Sequence, residues 1–156
     1  MKIKQKLGYL FLFIPVVVGL FVFFKHNLVL LITTGSMSPT MPQGTVIIVR
    51  RGTSPSTGDV ATYESKGGNY ITHRVVATEL LGKDRLFYTQ GDANGFQDPF
   101  PVGIDSIVGV TVFSFPYLGY ALAGLLSPLA LLFLFYIPTG YAFGKLINRF
   151  VNQRSP

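Results

Sequence analysis

Apolar and polar positions divide the chain into three parts. Residues 7–24, LGYLFLFIPVVVGLFVFF, run for 18 positions without a charged or strongly polar side chain. As a helix this run is about 27 Å long, close to the thickness of a bilayer core. Pro15 lies inside it, and proline is tolerated in membrane helices. A second uncharged stretch extends from Ser106 to Gly144 and ends at Lys145. Its first part, SIVGVTVFSF, is rich in Val and Phe and reads as a strand. Its later part, residues 118–137, LGYALAGLLSPLALLFLFYI, has 20 residues, enough to cross a bilayer. Tyr117, Tyr120, Tyr136 and Tyr141 fall near the ends of that run, where aromatic belts form.

Between the two runs short apolar alternations replace long ones. They predict strands at 28–32, 45–51, 59–64, 70–80, 85–89 and 108–115. Gly, Pro, Asn and Ser punctuate them at 52–58, 67–69, 82–84 and 91–103. Helical periodicity, internal repeats and low-complexity tracts are not visible there. The expected fold is therefore a mainly β domain flanked by N- and C-terminal transmembrane helices. About 90 residues suffice for one small domain.

Composition supports this division. Charged residues are 13% of the chain, about half the usual globular share. The net charge of +6 first reads as a nucleic-acid signal, but its distribution points to a membrane. All seven carboxylates lie between Asp59 and Asp105, balanced by Lys25, Arg50, Arg51, Lys66, Arg74, Lys83 and Arg85. The excess belongs to Lys2, Lys4 and Lys6 before the first run and Lys145, Arg149 and Arg154 after the second. The positive-inside rule then puts both termini in the cytoplasm. The expected order is a basic tail at 1–6, a membrane helix at 7–24, an extracytoplasmic domain at 26–116, a membrane helix at 118–137 and a basic tail at 138–156. A cleaved signal peptide is the rival reading of the first run. Its length and the Lys25, His26 and Asn27 that follow favour an uncleaved anchor.

Candidate chemistry is sparse. There is no Cys and there are two His, which excludes thiol catalysis and argues against a multi-histidine metal site. No cofactor motif is present. Three polar stretches stand out. TTGSMSPTMPQGT, residues 33–45, holds Ser36 and Ser38; a serine needs a neighbouring base to act as a nucleophile, and Ser, Gly and Pro also simply make turns. Met37 and Met41 beside them either line a site, dip toward lipid, or fill gaps in packing. NYITHRVVAT places His73 in a strand-like run with Arg74 on the other face. An imidazole takes up and returns a proton near neutral pH, although a lone strand histidine is more often unremarkable. GDANGFQDPF, residues 91–100, offers Asp92 and Asp98 in a composition that equally suits a loop. Together, in the order Ser, His, Asp, the three supply a nucleophile, a base and an orienter.

In combination these stretches resemble the type I signal peptidases, in the branch of archaea, the endoplasmic reticulum and some sporulating Gram-positive bacteria. GSMSPTM resembles the family's nucleophile box, GDVATY its structural strand, ITHRVV its base box and GDANGFQD its last box. The resemblance implies Ser36 as nucleophile, His73 as base where the common bacterial branch has Lys, Asp98 as its acidic partner and Asp92 as an important neighbour. It implies an oxyanion site from the Ser36 N–H and the Thr34 hydroxyl. The family commonly has Asn where this sequence has Ala93. The implied activity is removal of signal peptides from secreted preproteins by a membrane-bound serine endopeptidase. The lipid bilayer, preproteins and accessory membrane subunits are the implied partners, with no nucleic acid and no cofactor. Only 11 residues separate Phe24 from Ser36, a reach of at most about 40 Å, so the nucleophile is expected near the outer membrane surface. Two alternatives stand beside this reading: a non-enzymatic membrane-tethered β module that binds an exported partner, and a Ser–Lys enzyme using Lys66 or Lys83.

Overall fold

The computed structural model describes residues 3–152, with side chains described over 13–149. Lys2 and Arg154 of the two expected basic tails lie outside the described residues, as do the side chains of Lys4 and Lys6. The chain divides after Tyr117 into two compact units.

The first unit opens with helix α1, Ile3–His26, which contains Pro15. Lys25 and His26 occupy its last turn, where positive charge suits the negative end of the helix dipole. The Asn27 amide donates back to the Phe23 carbonyl at 2.9 Å, satisfying one of the acceptors that a helix end leaves free. The chain passes at once into β1, Asn27–Leu31. Six further strands follow: β2, Val46–Arg51; β3, Val60–Glu64; β4, Tyr70–Leu81; β5, Asp84–Gln90; β6, Val102–Gly103; and β7, Ile107–Phe115. All pairings are antiparallel, in the order β1-β2-β7-β3-β4-β5-β6. The six expected strands are present with ends shifted by a residue or so, and β6 is an addition within the turn-rich stretch 91–103.

Alternation decides which residues form the core. In β2, Ile47 and Val49 are fully buried while Val46 and Ile48 are only partly so. They pack with Ile32, Met37, Met41 and Val60 in one apolar cluster. Of the three readings of Met37 and Met41, packing is the one the structure shows for both. A second cluster gathers Ala61, Val75 and Phe87. Each large side chain fully buried in this way contributes about 1.5–3 kcal/mol relative to exposure. β3 is central and buried at its first four positions, so its polar groups need partners; Thr62 and Thr72 supply each other with a hydroxyl bond at 2.9 Å. Gly109 of β7 lies so close to the Arg50 carbonyl that a side chain there has no room.

The second unit is helical. The expected single run at 118–137 is divided into α2, Leu118–Leu125, and α3, Pro128–Asn152. The break has a local cause. Pro128 lacks the N–H that a continuous helix needs there, and suits a first helical position instead. The Ser127 hydroxyl accepts the Ala130 N–H at 3.3 Å, capping the new helix. Among the described residues, one helical segment, Pro128–Arg149, is long and apolar enough to cross a membrane; the apolar helical part of the first run is Phe13–His26.

Candidate active site

The connection between β1 and β2 carries Ser36. Ile32 donates its N–H to the Thr45 carbonyl at 2.8 Å and Gly44 returns a bond to Ile32 at 2.9 Å, closing the base of the loop. Met37, fully buried beneath it, anchors the tip. Ser36, next to this anchor, is half-buried. His73 comes from β4, opposite Ala61 of β3. Asp98 comes from the loop between β5 and β6, where its N–H bonds to the Thr89 carbonyl at 2.8 Å.

These elements bring three side chains, far apart in sequence, into one line. His73 Nε2 lies 3.1 Å from Ser36 Oγ, and His73 Nδ1 lies 2.6 Å from Asp98 Oδ2. A carboxylate only accepts, so Nδ1 carries the proton and the Nε2 lone pair faces the serine hydroxyl. The same Asp98 oxygen accepts from the Thr89 hydroxyl at 2.6 Å and the Tyr63 hydroxyl at 3.2 Å. Three donors converging on one oxygen hold the carboxylate in a single orientation. The His73 and Asp98 side chains are 11% and 17% exposed, so this chain of bonds is largely screened from water. Burial, ahead of the nearby Asp98 charge, raises the Tyr63 hydroxyl above the ordinary phenol range, which keeps it protonated as a donor.

Thr34 Oγ1 lies 3.3 Å from Ser36 Oγ. With the serine proton directed to His73, the threonine hydroxyl is the donor in that pair. Among the described residues the Ser36 N–H makes no hydrogen bond within the chain. Both expected oxyanion donors are therefore adjacent to Ser36 Oγ: the peptide N–H is unpaired among the described residues, and the threonine hydroxyl rests on Oγ until it rotates toward a ligand.

Asp92 is placed differently from the other candidates. Its carboxylate takes a two-pronged bond from Arg74, Nε to Oδ1 at 2.8 Å and Nη2 to Oδ2 at 2.7 Å. The bond from Arg74 holds the Asp92 carboxyl below its usual range. Arg74 also donates to the Gly58 carbonyl at 2.8 Å, tying in the turn before β3. The residues around Asp92 reach Ser36 through backbone. Ala93 donates its N–H to the Ser36 carbonyl at 2.8 Å, and Gly91 packs so closely that a Cβ there would lie 2.6 Å from that same oxygen. The departure from Asn at Ala93 leaves this contact intact, because the group used is the peptide N–H.

Tyr63, Thr89 and Arg74 were not among the residues singled out for chemistry. Tyr63 closes the GDVATY stretch and Arg74 follows His73, so both stood inside quoted motifs; Thr89 carried no signal. Lys66 and Lys83 are exposed and make no hydrogen bond to Ser36.

A groove of about 320 Å³ runs past the serine. Residues 30–34 form one wall and 70–73 the other, with Ser36 and Met37 between. Both walls present free backbone edges. β1 is an edge strand, and β4 pairs with β5 only from Arg74 onward.

Comparison with known proteins gives two relatives. The chain is 33% identical over 79 residues to "Signal peptidase I W" of Bacillus subtilis (strain 168), covering 49% of this chain and 42% of that protein. It is 33% identical over 109 residues to "Signal peptidase complex catalytic subunit SEC11" of Clavispora lusitaniae (strain ATCC 42720), covering 63% of this chain and 65% of that protein. The chain thus spans between about two fifths and two thirds of the length of these relatives. No family model matches it. By these two matches the chain is related to the type I signal peptidases.

Proposed function

We propose that the chain is a membrane-bound serine endopeptidase that removes signal peptides from secreted preproteins. The observation that carries this reading is the bonded series Ser36, His73, Asp98, with distances of 3.1 and 2.6 Å. It offers a nucleophile, a base whose free lone pair faces it, and a carboxylate that fixes the base.

In the proposed reaction a preprotein lies extended in the groove and pairs with its free strand edges, as peptides do when they add to a sheet. Ser36 Oγ attacks the scissile carbonyl while His73 Nε2 takes its proton. The resulting imidazolium is stabilised by Asp98, itself held by Thr89 and Tyr63. Negative charge on the carbonyl oxygen is met by the Ser36 N–H and by the Thr34 hydroxyl, which rotates from Ser36 Oγ to the new oxyanion. His73 then protonates the leaving amine, and water releases the acyl half by the same steps in reverse. Asp92 acts at one remove, by fixing the loop that bonds the Ser36 carbonyl.

The membrane arrangement belongs to the same proposal. The helical run at 7–24 and the apolar helix that begins at Pro128 are the two spans, Lys2, Lys4 and Lys6 before the first and Lys145, Arg149 and Arg154 after the second keep both termini cytoplasmic, and the domain at 26–116 is extracytoplasmic. Starting the second span at Pro128 instead of Leu118 follows the helix break at Ser127 and shortens the cytoplasmic tail to the residues from Lys145 onward. The substrates are then secretory preproteins that arrive in the same bilayer. One relative is named as a subunit of a signal peptidase complex, and accessory membrane subunits are proposed here by likeness to it.

The test is cleavage of a preprotein panel by the full chain in liposomes, with sequencing of the product N-termini. Ser36→Ala and His73→Ala are each expected to abolish cleavage while the protein accumulates and keeps its β-sheet signal. Normal cleavage by either variant rejects the assignment.

A further inference from the structure

A second cavity, of about 360 Å³, shares Ile71 and His73 with the groove but does not include Ser36. Alternation along β4 puts Ile71 and His73 on one face, and Tyr63 of β3 is the strand partner of Ile71. Phe100 and Val102, from the segment that follows Asp98, form the facing wall. Phe100 is 79% exposed. It buries little of itself in the fold, yet borders a depression large enough for an aromatic side chain. The rim is polar, and it is lopsided: Glu64 and Asp98 contribute carboxylates and Lys66 one ammonium.

The chemistry of the site gives this cavity a direction. During acyl transfer the half of the substrate before the cut bond stays on Ser36. The half after it leaves as an amine, and that amine must receive its proton from His73 Nε2. The chain beyond the bond therefore passes His73. The cavity bordered by His73 and not by Ser36 is the depression it meets. At about 3.3 Å per residue an extended chain covers the neighbourhood of the imidazole within its first three residues.

We propose that this cavity is a subsite for an apolar or aromatic side chain within the first three residues of the released chain. The inference rests on the peptidase reading and goes beyond it by assigning selectivity to the leaving side. Apolar walls favour Leu or Phe. The same walls disfavour Asp, whose carboxylate would have to shed water to enter.

The experiment uses the full chain in liposomes and a set of preproteins identical except for Leu, Phe, Gly or Asp at each of the three positions after the bond. The readout is the ratio of kcat/KM values within each position. Filling or missing such a pocket is worth about tenfold or more, so Leu or Phe is expected to exceed Asp by about that factor at one position. Phe100→Ala removes a wall from an exposed site without touching the core, and is expected to lower that ratio to about threefold or below. Equal ratios at all three positions in the unaltered protein overturn the subsite while leaving the peptidase reading standing. An undiminished ratio in Phe100→Ala overturns it likewise. Failure to cut any preprotein overturns both.

Discussion

Asp98→Asn removes one charge from the site and little else. Asn is nearly the same shape, and its carbonyl oxygen can take the place of Oδ2, where the His73, Thr89 and Tyr63 donors converge. In the proposed mechanism, what is lost is the attraction between a carboxylate and the imidazolium that forms when Ser36 gives up its proton. The charge centres are about 4 Å apart once the ring's delocalisation is allowed for; at an effective dielectric of about 20 their attraction is about 4 kcal/mol. The pair is mostly screened from water, with side-chain exposures of 11% and 17%, so bulk-water damping does not apply. Every 1.36 kcal/mol is a factor of ten in rate, so kcat is expected to fall about a thousandfold. KM is expected to change little, because the imidazolium exists in the transition state and not in the bound ground state. The assay is preprotein cleavage at saturating substrate in liposomes, alongside thermal unfolding of the variant. A folded Asp98→Asn protein whose kcat stays within tenfold of the original would refute the role given to this carboxylate.

Three further outcomes are expected. Gly91→Ala sets a Cβ 2.6 Å from the Ser36 carbonyl, and crowding of this kind costs about 1–3 kcal/mol; a lower Tm and a lower kcat are expected, with Ser36, His73 and Asp98 all present, and unchanged kinetics would show the contact to be slack. Asp92→Asn bears on acid stability: its carboxyl lies below the ordinary range in the fold because of Arg74, so its contribution is complete above about pH 4 and disappears as pH falls through the lower folded value. The variant is expected to be less stable at neutral pH, and its stability to fall less on acidification, in chemical unfolding followed from pH 7 downward. Thr34→Val keeps the shape of the side chain but removes the proposed oxyanion donor, a change expected to cost about a hundredfold or more in kcat, and Thr34→Ser is expected to restore most of it.

The β domain was legible because its strands carry period-2 patterns bounded by turn residues. β2 shows this well, with Ile47 and Val49 inward and their neighbours less so. β6 was not legible, since two residues have no period. The division of the run at 118–137 left a faint mark, Ser127 followed by Pro128, a cap and a first-turn residue; uniform hydrophobicity on both sides hid it. At the site, residue types and chain order pointed to Ser36, His73 and an aspartate, either Asp92 or Asp98; the family resemblance chose Asp98, and the structure gathers Ser36, His73 and Asp98. The supporting contacts were invisible for a physical reason. Tyr63 and Thr89 reach Asp98 through strand pairing, from 35 and 9 residues away. The bond that holds Ser36 in place comes from the peptide N–H of Ala93, and a backbone group writes nothing into the sequence.

That last bond makes the loop at 91–98 a ruler. At one end it grips the Ser36 carbonyl, and at the other it delivers the Asp98 carboxylate to His73. The exposed turn at 82–83 touches neither end, and surface connections of that kind accept changes of length readily. The stretch between Gly91 and Asp98 has no such freedom. One residue inserted there would move the two fixed points apart along the chain, and the proton's path from serine to imidazole would open although every reacting group had been kept.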